Sequence, residues 1–362
     1  MSDIMPATYC GTNPQLTAWP ELEWLHMLPS DTFYALWLRN PSSFGSKISL
    51  PVGHCLYVIS FHYEPFDYEW VVKQCAKVNA PVLILNDAEI YNFALPANCF
   101  FYNYYSWHYH IEKIQSWFPD IQNKNLQYKV SAVCNRITTH KLVAFTALAE
   151  HLGLEHNLVK LGTWLEEKNV NYRKPTNVEE LDRLQDIFFS QWYGKEIKAD
   201  DFENSQHNKQ SINSNPWSKF YLDSAIHLCL ESHCYSFMVD EFGESVRPGP
   251  HMTEKTFKCL IAGTPFIQVG QFDCYGQLKK LGLEFDYGSL DLSWDSDSGN
   301  LTRLSRIVNT IKSLKNYSIA DIVEMTKEST EHNTKMIRGG DFAQRCRDHN
   351  KIMSEKVLDT WA

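Results

Sequence analysis

No window of this 362-residue chain approaches the roughly 18 uninterrupted apolar residues of a membrane-spanning helix, although 44% of its residues are hydrophobic. The opening Met-Ser-Asp-Ile-Met-Pro-Ala-Thr lacks the positive region and apolar stretch of a secretory signal, so a cytoplasmic location is expected. The 10 cysteines include no Cys-x-x-Cys pair and sit mostly inside apolar runs. That pattern predicts reduced, buried thiols and argues against a disulfide framework. Internal repeats and low-complexity tracts are also missing. Positive charge is in deficit, with Lys+Arg 34 against Asp+Glu 43 and a formal charge of −9. No global basic field surrounds the chain, which removes the main argument for a general nucleic-acid binder and leaves room only for a local groove.

What is present suits two domains, each large enough to bury a core. The apolar run from Cys55 to Phe61 predicts a buried strand, Tyr68 to Asn79 a helix capped by Asp67, and Pro81 to Leu85 a second strand ending at Asn86-Asp87. Strand, helix and strand in that spacing make a βαβ unit with a parallel sheet. Phe100 to Tyr105 predicts a third strand, and a boundary falls in the polar stretch before Tyr128.

Beyond it the pattern predicts strand 128–134, helix 138–152, a charged helical region at 177–192 and a polar loop at 200–219. Strand 225–230, helix 253–262, strand 265–269 and helix 274–282 follow, then helices at 302–314, 319–333 and 341–361. The expected fold is α/β, with two doubly wound, Rossmann-like domains facing across a cleft. Residues 1–127 form the first domain, 128–335 the second, and 336–362 a helix packing back towards the first.

The most informative string is Met252-Thr253-Glu254-Lys255-Thr256-Phe257-Lys258, continuing Cys-Leu-Ile-Ala-Gly-Thr-Pro-Phe-Ile-Gln-Val-Gly to Gly270. Thr253 is placed as an N-cap, so Glu254, Lys255 and the first free amides project from a helix N-terminus that favours an anion. A nucleoside diphosphate fits: the lysine neutralises phosphate, the glutamate accepts from a ribose diol, and Lys258 lies one turn on. Gly263 and Pro265 end the helix before a buried strand. Asn135-Arg136, just past strand 128–134, sits where an open α/β sheet places a ligand-binding loop.

The Thr-Glu-Lys helix start with Gly-x-Pro and an apolar strand resembles the nucleotide-sugar half of GT-B glycosyltransferases, in particular the alpha-1,3-fucosyltransferase-like group and its viral and bacterial relatives. Phe220 to Glu231 looks like that group's strand ending in a glutamate, Gly276 to Phe285 like its Leu-x-x-Leu-Gly helix, and Tyr128 to Arg136 with His140 and Lys141 like its opening strand and loop. The likeness covers roughly residues 128–290. It implies a transferase that moves a sugar from a nucleoside diphosphate to an acceptor hydroxyl, with inversion and without a metal or other cofactor. Asn135, Arg136, Glu231, Thr253, Glu254, Lys255 and Lys258 are then the expected donor-binding residues, with an arginine of this region on the diphosphate. The base that deprotonates the acceptor is expected from the first domain, where Glu64 and His62 directly follow the Cys55–Phe61 strand; Glu64 ranks first because the resembled group uses a carboxylate. Asp87 is a further possibility. The acceptor is a glycan or, second, a hydroxymethylated base in DNA. The alternative is a catalytically silent nucleotide-sugar binding protein.

Two patterns are read as decoys. Asp295-Ser296-Asp297 matches an Asp-x-Asp metal motif but lies in a Ser/Asp/Gly-rich stretch, where a solvated loop is the expectation. His227, Cys229, His233 and Cys234 offer zinc-type ligands without an intact zinc spacing. The aromatic run from Phe100 to Tyr109 is expected in the core, with a share of an acceptor site as the second reading.

Overall fold

A computed structural model describes residues 5–7, 33–37, 56–61, 82–86, 99–103, 107–115, 124–164, 176–197, 218–231 and 252–361, together with Ala97, Tyr105, Cys234 and Pro250. The described chain is mixed α/β and contains a 5-stranded and a 4-stranded sheet.

The first sheet comprises β1 (Met5–Ala7), β2 (Phe33–Trp37), β3 (Leu56–Phe61), β4 (Val82–Asn86) and β5 (Cys99–Asn103). They lie side by side in chain order; β1 is antiparallel to β2 and the remaining neighbours are parallel. In the ladder Val58 pairs with Leu83, and Leu83 with Phe100. Leu83, Ile84 and Leu85 are wholly buried. A strand covered on both faces is apolar at every position instead of alternating, which is why β4 reads as one continuous run. The expected doubly wound order is corrected here: among the described strands no reversal occurs. An apolar run specifies a buried strand but carries nothing about which neighbour its crossover reaches.

The second sheet is wholly parallel, with β6 (Tyr128–Arg136) and β8 (Ser224–Leu230) at its centre, β7 (Leu158–Trp164) beside β6 and β9 (Phe266–Val269) beside β8. Here the order does reverse, because β6 is joined to β7 on one side and pairs with β8 on the other. Strand β7 has no counterpart among the expected elements. Its Lys160 and Gly162 interrupt the apolar run, as suits a strand at the sheet edge. Right-handed crossovers in opposite directions send α2 (Thr139–Leu152) and α5 (Glu254–Ala262) to opposite faces. Accordingly α2 packs on α3 (Glu179–Ile187) and α7 (Asn300–Ser313), whereas α5 packs on α1 (Trp107–Gln115), α4 (Ser218–Leu222) and α8 (Ile319–Arg338). Helix α6 (Cys274–Lys280) follows β9, and α3 runs on into a π turn over Phe188–Trp192.

The C-terminal helix α9 (Asp341–Trp361) lies against α1 and α8. Asn350 stands in for a strand partner: its Oδ1 accepts from Tyr105 N at 2.9 Å and its Nδ2 donates to Tyr105 O at 2.8 Å. Tyr105 stacks on Trp107 with ring centroids 4.5 Å apart, and Trp107 meets Phe257 of α5 at 5.9 Å. These two members of the aromatic run are therefore core. Among the described residues no helix is long and apolar enough to cross a membrane. Among the described residues seven cysteines, including Cys229, Cys259 and Cys274, are buried.

Candidate functional site

The strand order reverses between β6 and β8, and in open α/β sheets ligands bind in the crevice outside the carboxyl ends of the strands at such a reversal. Both helices that leave this edge, α2 after β6 and α5 after β8, start there, so two helix N-termini face one place.

Glu231, the residue after β8, organises the α5 side and is fully buried. Its Oε1 accepts from Thr253 N at 3.0 Å and from Thr256 Oγ1 at 2.6 Å, and its Oε2 from Thr253 Oγ1 at 2.6 Å. Thr253 is the N-cap of α5, its hydroxyl also accepting from Lys255 N at 3.4 Å and Lys255 Nζ at 3.0 Å. Thr256 in turn accepts from Gln268 Nε2 of β9 at 3.1 Å. One carboxylate thus ties the end of β8 to the first turn of α5 and, through Thr256, to β9. Burial raises the Glu231 pKa, but the Lys255 ammonium and the threonine donors outweigh it and hold the carboxyl below the ordinary range.

Lys255 Nζ lies 3.9 Å from Glu231 Oε2 and 3.5 Å from Glu254 Oε1. Burial opposes its charge, and the two carboxylates more than compensate, so its pKa is raised. Its side chain keeps 26% exposure and that of Glu254 23%, which leaves both within reach of a ligand at the helix start. Lys258 differs: it is buried, and burial pulls its ammonium below the usual range despite Glu254 nearby.

On the α2 side, His140 Nε2 lies 3.0 Å from the carbonyl oxygen of Glu231. A carbonyl only accepts, so Nε2 carries the hydrogen, and Nδ1 at 3.2 Å is left to accept from Thr138 Oγ1. Burial, with Lys141 adding to it, lowers the His140 pKa to about 3, and the ring is neutral at physiological pH. His140 therefore bolts the start of α2 to the end of β8. Arg136 is the last residue of β6, paired in register with Trp164. The side chains of Asn135 and Arg136 lie outside the described residues, as do His62, Glu64, Asp67, Asp87 and His233.

The structure thus brings Glu231, Thr253, Glu254 and Lys255 together, and adds Thr256, Gln268, His140 and Arg303. Thr256 falls one turn after the cap on the inner face of α5, a signal the spacing carried. Arg303 shares a face of α7 with Ile307, and a cation among apolar helical positions was its signal. It is wholly buried, its Nε donating to Gly270 O at 3.3 Å, its Nη1 to Asp297 O at 2.8 Å and its Nη2 to Cys234 O. The loops after β8 and β9 are joined by this one side chain.

The aspartates of Asp295-Ser296-Asp297 diverge. Asp297 Oδ1 accepts from Gly299 N at 2.9 Å within its own turn. Asp295 is buried, contrary to the solvated loop expected: its Oδ2 accepts from Gly276 N at 3.1 Å in the first turn of α6, and burial pushes its pKa up to about 7. Proximity to an uncapped helix start, invisible in a local composition, accounts for the difference. His227 is likewise internal, its Nδ1 2.8 Å from Ser131 Oγ across the β6/β8 ladder. Elsewhere Glu150, His151 and Glu180 bring ligand-type atoms within 4.8 Å of one another, but Arg183 already bridges both carboxylates.

Comparison with protein-family models, curated proteins and solved structures finds no significant match to this chain.

Proposed function

We propose that the chain is a nucleotide-sugar glycosyltransferase of GT-B type, in which the second sheet and its helices bind the donor and the first carries the acceptor side. The observation that supports this reading is the convergence of two helix N-termini at the strand reversal, one of them Thr-capped and followed by a partly exposed Glu254-Lys255 pair. A diphosphate entering there meets helix amides and the Lys255 ammonium, while the Glu254 carboxylate accepts from a ribose diol. Glu231 holds the helix start rigid beneath the ligand, so the donors need not reorganise as negative charge grows on the leaving diphosphate. Arg136, at the end of β6, supplies a second cation. Lys258, being buried, contributes field and not contact. In this reading transfer proceeds with inversion and without a metal; Glu64, or else His62, takes the acceptor proton, and the acceptor is a glycan or, second, a hydroxymethylated base in DNA.

A thermal-shift series with UDP, GDP, CMP and dTDP sugars, repeated on Lys255→Ala, tests the donor half, because a ligand that binds only the folded state raises its melting temperature. The expected result is a rise with one nucleotide class that disappears in the variant. A rise that survives in Lys255→Ala would move the donor elsewhere. Turnover in Glu64→Ala and His62→Ala tests the base: loss in one names it, and a donor that binds with no transfer to any acceptor favours a binding protein.

A further inference from the structure

At the opposite end of α5 from Thr253, a cavity of about 1130 Å³ opens between the amino edge of the second sheet and one face of α8. It is slightly larger than typical small-molecule pockets, which span about 300–1,000 Å³. Its charge is one-sided: Lys124, Lys327, Lys335 and Arg338 line it against the single carboxylate of Glu331. Among the described residues none of Lys124, Lys327 and Lys335 pairs with a carboxylate, on a chain whose net charge is −9.

Two of the cations have a structural duty as well. Lys124 Nζ donates to Gly263 O and to Thr264 Oγ1 at 3.2 Å, and Arg338 Nε to Ile261 O at 3.2 Å, so both cap the carboxyl end of α5. That duty uses two of three ammonium hydrogens on Lys124. Burial, with the Arg338 charge adding to it, brings the Lys124 pKa down to about 8, the condition of a cation that a nearby anion would stabilise. Lys327 and Lys335 have no such duty and stand exposed at the rim.

The wall between the charges is hydroxyl-rich. Thr326, Thr330 and Thr334 repeat at one-turn spacing along α8 and all face the cavity. Thr326 and Thr334 donate to helix carbonyls at 2.8 and 2.7 Å, keeping their oxygens as acceptors, while the buried Thr330 Oγ1 has no partner.

We propose that this cavity is a second binding site, separate from the crevice at Thr253, for a phosphorylated small molecule with a hydroxyl-bearing body. Its phosphoryl group would lie among Lys124, Lys335 and Arg338, and its hydroxyls along the threonine face.

Titration calorimetry of the full chain with ribose 5-phosphate, inorganic pyrophosphate and ribose tests it, using wild type, Lys327→Glu/Lys335→Glu and Lys255→Ala. Ribose 5-phosphate should bind wild type and Lys255→Ala alike, pyrophosphate should still bind Lys255→Ala, ribose should give no heat, and the double reversal should weaken ribose 5-phosphate binding about tenfold or more. Ribose 5-phosphate binding more tightly than pyrophosphate, with the preference lost in Thr334→Val, would support the hydroxyl-bearing body. The proposal is overturned if neither phosphate binds, if the double variant binds as wild type does, or if binding disappears in Lys255→Ala, which would put the phosphate in the crevice.

Discussion

Replacing Glu231 with glutamine keeps the volume of the side chain and removes its charge, and the geometry dictates where the cost appears. With its amide oxygen in the Oε1 position, the glutamine still accepts from Thr253 N and Thr256 Oγ1. Its NH2 then faces Thr253 Oγ1, a hydroxyl that already accepts from Lys255 and whose own hydrogen loses its acceptor. Lys255 also loses a buried counter-charge 3.9 Å away. A hydrogen bond to a charged group contributes about 1.5–3 kcal/mol, and breaking a buried ion pair costs about 3–5 kcal/mol. Because two of the three bonds survive, about 2–4 kcal/mol of destabilisation is expected. For a domain of this size that lowers the melting temperature by about 5–15 °C. Calorimetry at neutral pH gives the magnitude, and hydrogen exchange over residues 252–258 gives the place, since the amides of the first α5 turn should open. The pH dependence has a definite sign. A carboxyl held below its ordinary pKa in the folded state adds stability at neutral pH that fades as pH falls through the carboxylate range, so wild type and variant should converge in acid. A variant that melts within about 1 °C of wild type with unchanged exchange at 252–258 would refute the clamp.

Further outcomes follow from the same geometry. His140 and His227 are both held at a pKa of about 3 by burial, so their ring signals should show no titration between pH 8 and pH 5 in NMR. Each unfolded ring gains a proton below about pH 6.5, so each should subtract about 1.4 kcal/mol of stability per pH unit from there towards its folded pKa; denaturant midpoints flat through that window would contradict it. Gly263→Ala should destabilise by about 1–3 kcal/mol, because φ is +61° and the new Cβ would meet Thr334 Oγ1 at 2.6 Å. Adding Thr334→Ala should recover the part due to the clash, and no recovery in the double variant's melt would assign the whole cost to backbone strain. Arg303→Lys, which cannot span Gly270, Asp297 and Cys234 at once, should cost about 2–4 kcal/mol and increase protease nicking in the loops after β8 and β9. Unchanged nicking would show those loops to be held by other contacts.

Much of the local structure was legible because each element announces itself over a few residues. Strand β3 was expected over 55–61 and runs Leu56–Phe61; helix α5 was expected over 253–262 and runs Glu254–Ala262, with Thr253 capping it and Gly263 in the left-handed region that ends it. β7 went unrecognised because an edge strand interrupted by Lys160 and Gly162 lacks a buried strand's apolar continuity. Asp295 was misjudged for a related reason: a Ser/Asp/Gly stretch looks solvated until α6 is seen to start beside it.

Of the candidate site, Thr253, Glu254 and Lys255 were readable as a unit because cap, carboxylate and ammonium are consecutive. That Glu231 would be the base of the same helix start was not, since it is 22 residues away from Thr253 in sequence and meets it only because β8 lies beneath α5.

The amino-acid sequence by itself determined the α/β class, the main elements of the second sheet and the anion-favouring start of α5, all consequences of side-chain period and capping chemistry acting over one or two turns. Only the tertiary structure decided that the first sheet runs in chain order while the second reverses at β6 and β8, that His140 ties the start of α2 to Glu231 at the end of β8, and that four cations share a cavity at the far end of α5. Those facts depend on which surfaces are buried together, a choice made by packing over long sequence separations and leaving no local signature in the chain.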